Sequence, residues 1–250
     1  MYVMGTWLIT GCSGGLGESI ARAALEHGEN VAVTARNPEK VQELVRPYSD
    51  HGIALRLDLN DWDSMKKAVT KACGTFGGID VLVNNAGHGY RAAVEESEPE
   101  RIRELFDTNF FAPAELMNTV LPVMRRQKKG LIVNVTSIGA VRGALGNGYY
   151  SAAKAALELL TEALAGSERK IADYDVLAPK YRKENMEDRH DQAVDPARGG
   201  RVIVETVLSG KMLSRLLLGS EAAKAAEAVM KSRLEEVCQW MEVSRQADFQ

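Results

Sequence analysis

Apolar positions fall in short blocks along the 250-residue chain. Five blocks of strand length, at 7–10, 31–35, 54–57, 81–83 and 131–135, are each followed by a stretch with helical spacing or charge. That alternation predicts βαβ units around a parallel sheet. The spacing places helices at about 15–28, 38–50, 61–74, 99–128 and 149–165, the fourth divided near Pro113. Farther along it predicts a helix over 196–209 and a buried strand over 213–218. A long amphipathic helix over 220–243, capped by Ser220, closes the pattern. With no internal repeat, the expectation is an α/β fold, a doubly wound parallel sheet forming one domain over 1–250.

Composition narrows the function. The chain is 45% apolar and 26% charged, as expected of a folded globule. Lys plus Arg number 31 against 34 for Asp plus Glu, a formal net charge of −3, so no nucleic-acid partner is expected. Residues 1–10 lack a charged leader, and no apolar run approaches the roughly 20 residues that span a bilayer. The expectation is a cytoplasmic protein with no membrane partner. Cys12, Cys73 and Cys238 are odd in number and scattered, which fits neither a disulfide framework nor a metal site. His27, His51, His88 and His190 show no ligand spacing either, so no metal is expected.

The chemistry-bearing residues sit at the ends of the strand blocks. The first block runs into Gly11-Cys12-Ser13-Gly14-Gly15-Leu16-Gly17 and then a helical stretch. In this strand–turn–helix context, glycines let a pyrophosphate approach the open N–H groups of the helix start. The second block ends at Arg36, whose guanidinium suits a ribose 2′-phosphate, with a merely solvated arginine as the alternative. NADP(H) is therefore favoured over NAD(H). Asp58, with Leu59 beside it, is placed to meet an adenine amino group or to cap the next helix, a role open equally to Asn60 or Asp61. Asn84-Asn85-Ala86-Gly87 follows the fourth block, at the sheet edge where ligands bind, either touching the cofactor or shaping a turn. The fifth block delivers Ser137 to the same edge, and Tyr150 and Lys154 lie four apart on one helical face. An ammonium beside a phenol stabilises the phenolate and draws it toward acid–base use, whereas an amphipathic surface pair is the plainer reading of that spacing.

Taken in order, these motifs resemble the short-chain dehydrogenase/reductase family over about residues 4–165. Thr10 through Gly17 is similar to its Thr-Gly-x-x-x-Gly-x-Gly turn, and 84–87 to its Asn-Asn-Ala-Gly segment. The resemblance implies a Rossmann-like fold and a catalytic set of Asn109, Ser137, Tyr150 and Lys154. Tyr150 would carry the proton, Ser137 polarise the substrate oxygen, and Lys154 lower the tyrosine pKa and hold the nicotinamide ribose. Asn109 would support the lysine through a water. Tyr150 and Lys154 thus join the cofactor-binding residues Gly11, Ser13, Gly14, Gly15, Leu16, Gly17, Arg36, Asp58, Leu59, Asn85, Ala86 and Gly87. The implied reaction is hydride transfer between NAD(P)H and a carbonyl or alcohol, the small-molecule partner. The resemblance also implies a homodimer or homotetramer, pairing the helices at 112–128 and 149–165.

The chain departs from that family after the lysine helix. The usual sixth strand and its Pro-Gly pair are not found between Ala165 and Pro196, a shortfall of roughly 25 residues against ordinary βα-unit lengths. Residues 166–212 read as a shortened substrate-loop region. The segment 174–178 is apolar enough to fill the edge, but neighbouring acidic residues argue against a buried central strand. A non-catalytic dinucleotide-binding sensor or partner-binding protein is the alternative function, one that would tolerate a broken substrate wall.

Overall fold

The computed structural model describes residues 5–166, 177–178, 195–210 and 215–247. The first half runs β1 (Thr6–Ile9), α1 (Gly15–Glu26), β2 (Asn30–Ala35), α2 (Glu39–Val45), β3 (Gly52–Arg56), α3 (Trp62–Phe76) and β4 (Val81–Asn84). There follow α4 (Pro99–Phe106), α5 (Ala112–Gln127), β5 (Gly130–Asn134), α6 (Gly148–Gly166), β6 (Leu177–Ala178), α7 (Pro196–Leu208) and α8 (Ser220–Ser244). Every strand pairing is parallel, in the order β3-β2-β1-β4-β5-β6. Trp7 lies between Val31 and Val81, and Val81 in turn faces Leu131.

Successive strand side chains leave on opposite faces of the sheet. Trp7, Ile9, Val31, Val33, Val81 and Val83 pack with α1 and α7. Leu8, Ala32, Leu82 and Ile132 pack with α3, α5 and α6. Both faces are covered, which is why the strand blocks read as continuous apolar runs rather than alternating ones. On the first face, α7 lies so close to α1 that a Cβ on Gly200 would sit 2.6 Å from the Ser19 carbonyl carbon.

Local chemistry explains the boundaries. The Asp61 carboxylate accepts the Ser64 N–H at 3.0 Å and caps α3, and Gly77, at φ 86, ends it in the left-handed region. The expected division of the 99–128 helix falls at a π-helical turn, Asp107–Phe111, leaving Pro113 harmless at the start of α5. α8 begins at Ser220, but the capping position is Gly219 and no side chain caps it, correcting the cap expected from Ser220.

Two further expectations change at the C-terminal side. Where the sequence shows no sixth strand, the two residues of β6 pair with β5, Gly130 opposite Leu177 and Leu131 opposite Ala178. Asp175 argues against a central strand, yet β6 stands last in the strand order, where only two residues must fit the ladder. Pro179 and Lys180 follow it in sequence, in place of Pro-Gly. The strand expected at 213–218 is reduced to one bridging residue, Leu217, with 211–214 outside the described residues. Most of the 166–212 loop region likewise lies outside them.

Candidate active site

The carboxyl ends of β1, β2, β3, β4 and β5 open onto one cleft of about 600 Å³. Its floor is the turn after β1, where Gly11 and Gly15 adopt φ values of 72 and 61, conformations that glycine takes without strain. Close approach adds a second demand. A Cβ at Gly11 would lie 2.9 Å from Ala86 Cα, and one at Gly17 would collide with Gly11 O and Asn85 Nδ2. Asn85 is the brace: its amide donates to Thr10 O at 3.0 Å and Gly11 O at 3.2 Å. Thr10 Oγ1 returns the tie by accepting the N–H groups of Asn85 and Ala86, each at 3.0 Å. The segment 84–87 therefore holds the turn, and Asn85, Ala86 and Gly87 also line the cleft. No side chain caps α1, so its first N–H groups remain open toward the cleft.

Among the described residues, the cleft collects Gly11, Ser13, Gly14, Gly15, Leu16, Arg36, Asp58, Leu59, Asn85, Ala86 and Gly87. Gly17 lies behind the floor, buried against Asn85. Arg36 is exposed at the rim and makes no ion pair among the described residues. Capping of α3 falls to Asp61, whose carboxyl the Ser64 N–H holds below the usual range, aided by Arg56. That leaves Asp58 facing the cleft, its N–H on Ser64 Oγ at 3.1 Å and its carboxylate accepting from Asn60 N–H. Asn60, His88, Glu104, Thr108 and Val135 also line the cleft. Of these, Glu104 and Thr108 escape a reading of strand ends, since they are brought in by α4 and the π-helical turn.

Asn109, Ser137, Tyr150 and Lys154 are not among the residues that line the cleft, but Asn109 and Lys154 meet behind one that does, Gly87. The π-helical turn buries Asn109 completely and points its amide at His88 O, 2.8 Å, and Leu105 O, 3.0 Å. Its Oδ1 is buried with no hydrogen-bond partner among the described residues. Lys154, 4% exposed, donates from Nζ to Val135 O at 3.0 Å. A Cβ added to Gly87 would lie 2.6 Å from Asn109 Oδ1 and 3.2 Å from Lys154 Nζ, so both groups converge on that glycine. Tyr150 is buried one helical turn before Lys154. Ser137 caps a short 3₁₀ turn, its Oγ accepting the Gly139 N–H at 3.0 Å, which leaves the hydroxyl proton to donate. Behind them Asn84 Nδ2 donates to Asn134 Oδ1, and Asn134 Nδ2 to Thr161 Oγ1, both at 2.8 Å, tying β4, β5 and α6 together. Among the described residues no group of three or more His, Cys, Asp or Glu is arranged to hold a metal.

Comparison with known proteins agrees with this geometry. The family model for short chain dehydrogenases matches residues 6–188. An oxidoreductase of Botryotinia fuckeliana, BOA17, is 38% identical over 160 residues, 64% of this chain and 58% of that protein's length. An uncharacterized oxidoreductase of Schizosaccharomyces pombe is 30% identical over 231 residues, 85% of this chain and 94% of that one. Among solved structures, a short-chain dehydrogenase from Streptomyces avermitilis superposes with a TM-score of 0.89 at 32% identity, covering 100% of both chains. An alcohol dehydrogenase from the archaeon Thermococcus sibiricus, complexed with 5-hydroxy-NADP, gives 0.76 at 25% identity over 86% of this chain and 96% of that one. The doubly wound sheet, the braced glycine turn and a family match over most of its length all point the same way: the chain belongs to the short-chain dehydrogenase family.

Proposed function

We propose that the chain is an oxidoreductase that uses NADP(H), in preference to NAD(H), to interconvert a carbonyl and an alcohol. The observation that carries this reading is the meeting at Gly87, where the inner end of the cleft abuts Asn109 and Lys154. A dinucleotide fits the cleft: the volume is that of an ordinary ligand site, and the backbone is stripped of Cβ atoms where a pyrophosphate approaches. Gly14 and Gly15, with the open start of α1, would take the phosphates, and Asp58 and Leu59 the adenine. Arg36, exposed and without an ion partner among the described residues, would take the 2′-phosphate.

When bound, the nicotinamide supplies or accepts the hydride. The chain's own residues supply position and a proton. Ser137 keeps its proton and donates a hydrogen bond through it to the substrate oxygen, holding that oxygen beside Tyr150. Tyr150 gives its phenolic proton to that oxygen in reduction and takes it back in oxidation. Lys154, held by Val135 O, stabilises the phenolate that remains. Asn109 Oδ1, without a hydrogen-bond partner among the described residues, faces the lysine side of Gly87 and suits a bridging water on the path that returns the proton.

The three cysteines are free, with Cys238 exposed, which suits a reducing cytoplasm. Copies are proposed to associate through α5 and α6, where Ala152 is exposed and small enough for close helix approach. Titration with NADPH and NADH, for the unaltered chain and Arg36→Asp, tests the cofactor assignment. Arg36→Asp is expected to weaken NADPH at least about tenfold, a cost of about 1.4 kcal/mol, while leaving NADH unchanged. Equal weakening of both would remove Arg36 from recognition of the 2′-phosphate.

A further inference from the structure

The distal half of α8 leaves the body of the protein. Every residue from 231 to 246 is exposed, a projection of about 20 Å at 1.5 Å per residue. Yet this half is not polar all round. Met230, Leu234, Val237 and Met241 form a stripe along one face, with Leu234 64% and Val237 61% exposed. At its inner end, Met230 and Arg233 line a groove of about 300 Å³ against Val141 and Leu159.

We propose that this stripe binds the same stripe of a second copy of the chain, antiparallel, across a two-fold axis. Three observations select that occupant. First, the intervals 230–234–237–241 read four, three, four in either direction. An antiparallel copy therefore sets Leu234 against Val237 and Met230 against Met241, the self-complementary match that a closed dimer requires. Second, the flanks agree with the same register. Arg233, which has no ion partner among the described residues, comes beside the second copy's Trp240, 58% exposed, so that guanidinium faces indole. Third, residues 230–245 carry three basic groups (Lys231, Arg233, Arg245) and three acidic ones (Glu235, Glu236, Glu242). A neutral helix lacks the basic face that draws amphipathic helices onto anionic lipid. The register also delivers the second copy's Met241 to the groove beside Met230 and Leu159. The contact thus extends from helix pair to protein body, toward the roughly 1,200 Å² of a stable interface.

Disulfide trapping of the full chain tests both partner and register, in a Cys238→Ser background. Met230→Cys with Met241→Cys places the two thiols about 16 Å apart within one helix, too far to bond, yet opposite each other across the proposed axis. Mild oxidation is expected to give a covalent dimer from the double variant and none from either single variant. No dimer from the double variant, or dimers from the single variants, overturns the proposal. Leu234→Glu with Val237→Glu is expected to lower the mass seen by light scattering at micromolar concentration. An unchanged mass, with loss of binding to anionic vesicles instead, overturns it in favour of a membrane surface.

Discussion

At the scale of single residues, the cofactor turn is legible because its constraints are steric. Gly11 needs a positive φ, and Gly17 lies against Gly11 O and Asn85 Nδ2, so glycine is the residue that fits. Gly17→Ala is expected to displace Asn85, loosen the turn and weaken NADPH at least about tenfold, with the circular dichroism of the sheet retained. Unchanged affinity would mean that the turn does not hold the phosphates. What the sequence does not display is the other half of each contact. Asn85 reads as one amide in a turn, and its role as the brace of residues 10–11 emerges only once β4 lies beside β1. Glu29 is hidden in the same way: it is buried, accepting from Gly5 N–H at 2.7 Å and Trp7 Nε1 at 3.2 Å, with Oε1 unpartnered among the described residues. Burial pushes its carboxyl above the ordinary glutamate range, against the pull of the Gly5 N–H and with help from Asp80. The folded state then keeps a proton that the unfolded chain has released, so this group's contribution to stability falls as pH rises from the ordinary value through the raised one. Glu29→Gln removes that titration. Its denaturation midpoint is expected to gain on the unaltered chain between pH 4 and pH 7, and a difference constant with pH would refute the assignment.

At the scale of elements, hydrophobic spacing locates the five full strands and most helices because both faces of the sheet are covered. It fails where an element is too short for any period to appear. β6 has two residues, too few to carry a period, while the apolar run at 213–218 reads as a strand of which the described residues 215–218 make a single bridge at Leu217. The π-helical turn at Asp107–Phe111 is equally silent in sequence, yet it buries Asn109 and brings Thr108 to the cleft. Helix–helix approach is likewise read only in three dimensions. Gly200 looks unfavourable within α7 until α1 is seen against it. Gly200→Ala would press a methyl onto the Ser19–Ile20 backbone. It is expected to cost about 1–3 kcal/mol of stability in denaturant titration, in keeping with other overpacked contacts. Stabilisation, as for an ordinary glycine-to-alanine change in a helix, would show that α1 and α7 separate freely.

At the scale of the whole molecule, a sheet wound from both sides delivers five strand ends to one cleft, and α6 sets Lys154 behind its lining residue Gly87. The alignment with the Botryotinia fuckeliana relative covers 58% of that protein's length, so the substrate wall has to be understood from this chain's own residues. The charged stretch at 179–194 is the part from which least can be read. Periodicity says nothing there, and 179–194 lie outside the described residues. The proposed proton relay draws its residues from elsewhere, after β5, on α6 and in the π-helical turn. Tyr150→Phe separates binding from chemistry, since it removes one hydroxyl and keeps the ring. The decisive measurement is therefore NADPH affinity and turnover of a carbonyl panel, on the same preparations of the unaltered chain and Tyr150→Phe. The account predicts affinity within about threefold of the unaltered chain and a loss of turnover of at least about 100-fold, the lower range for a general acid. Turnover at the unaltered rate in Tyr150→Phe, or NADPH binding without turnover of any carbonyl by the unaltered chain, would contradict it.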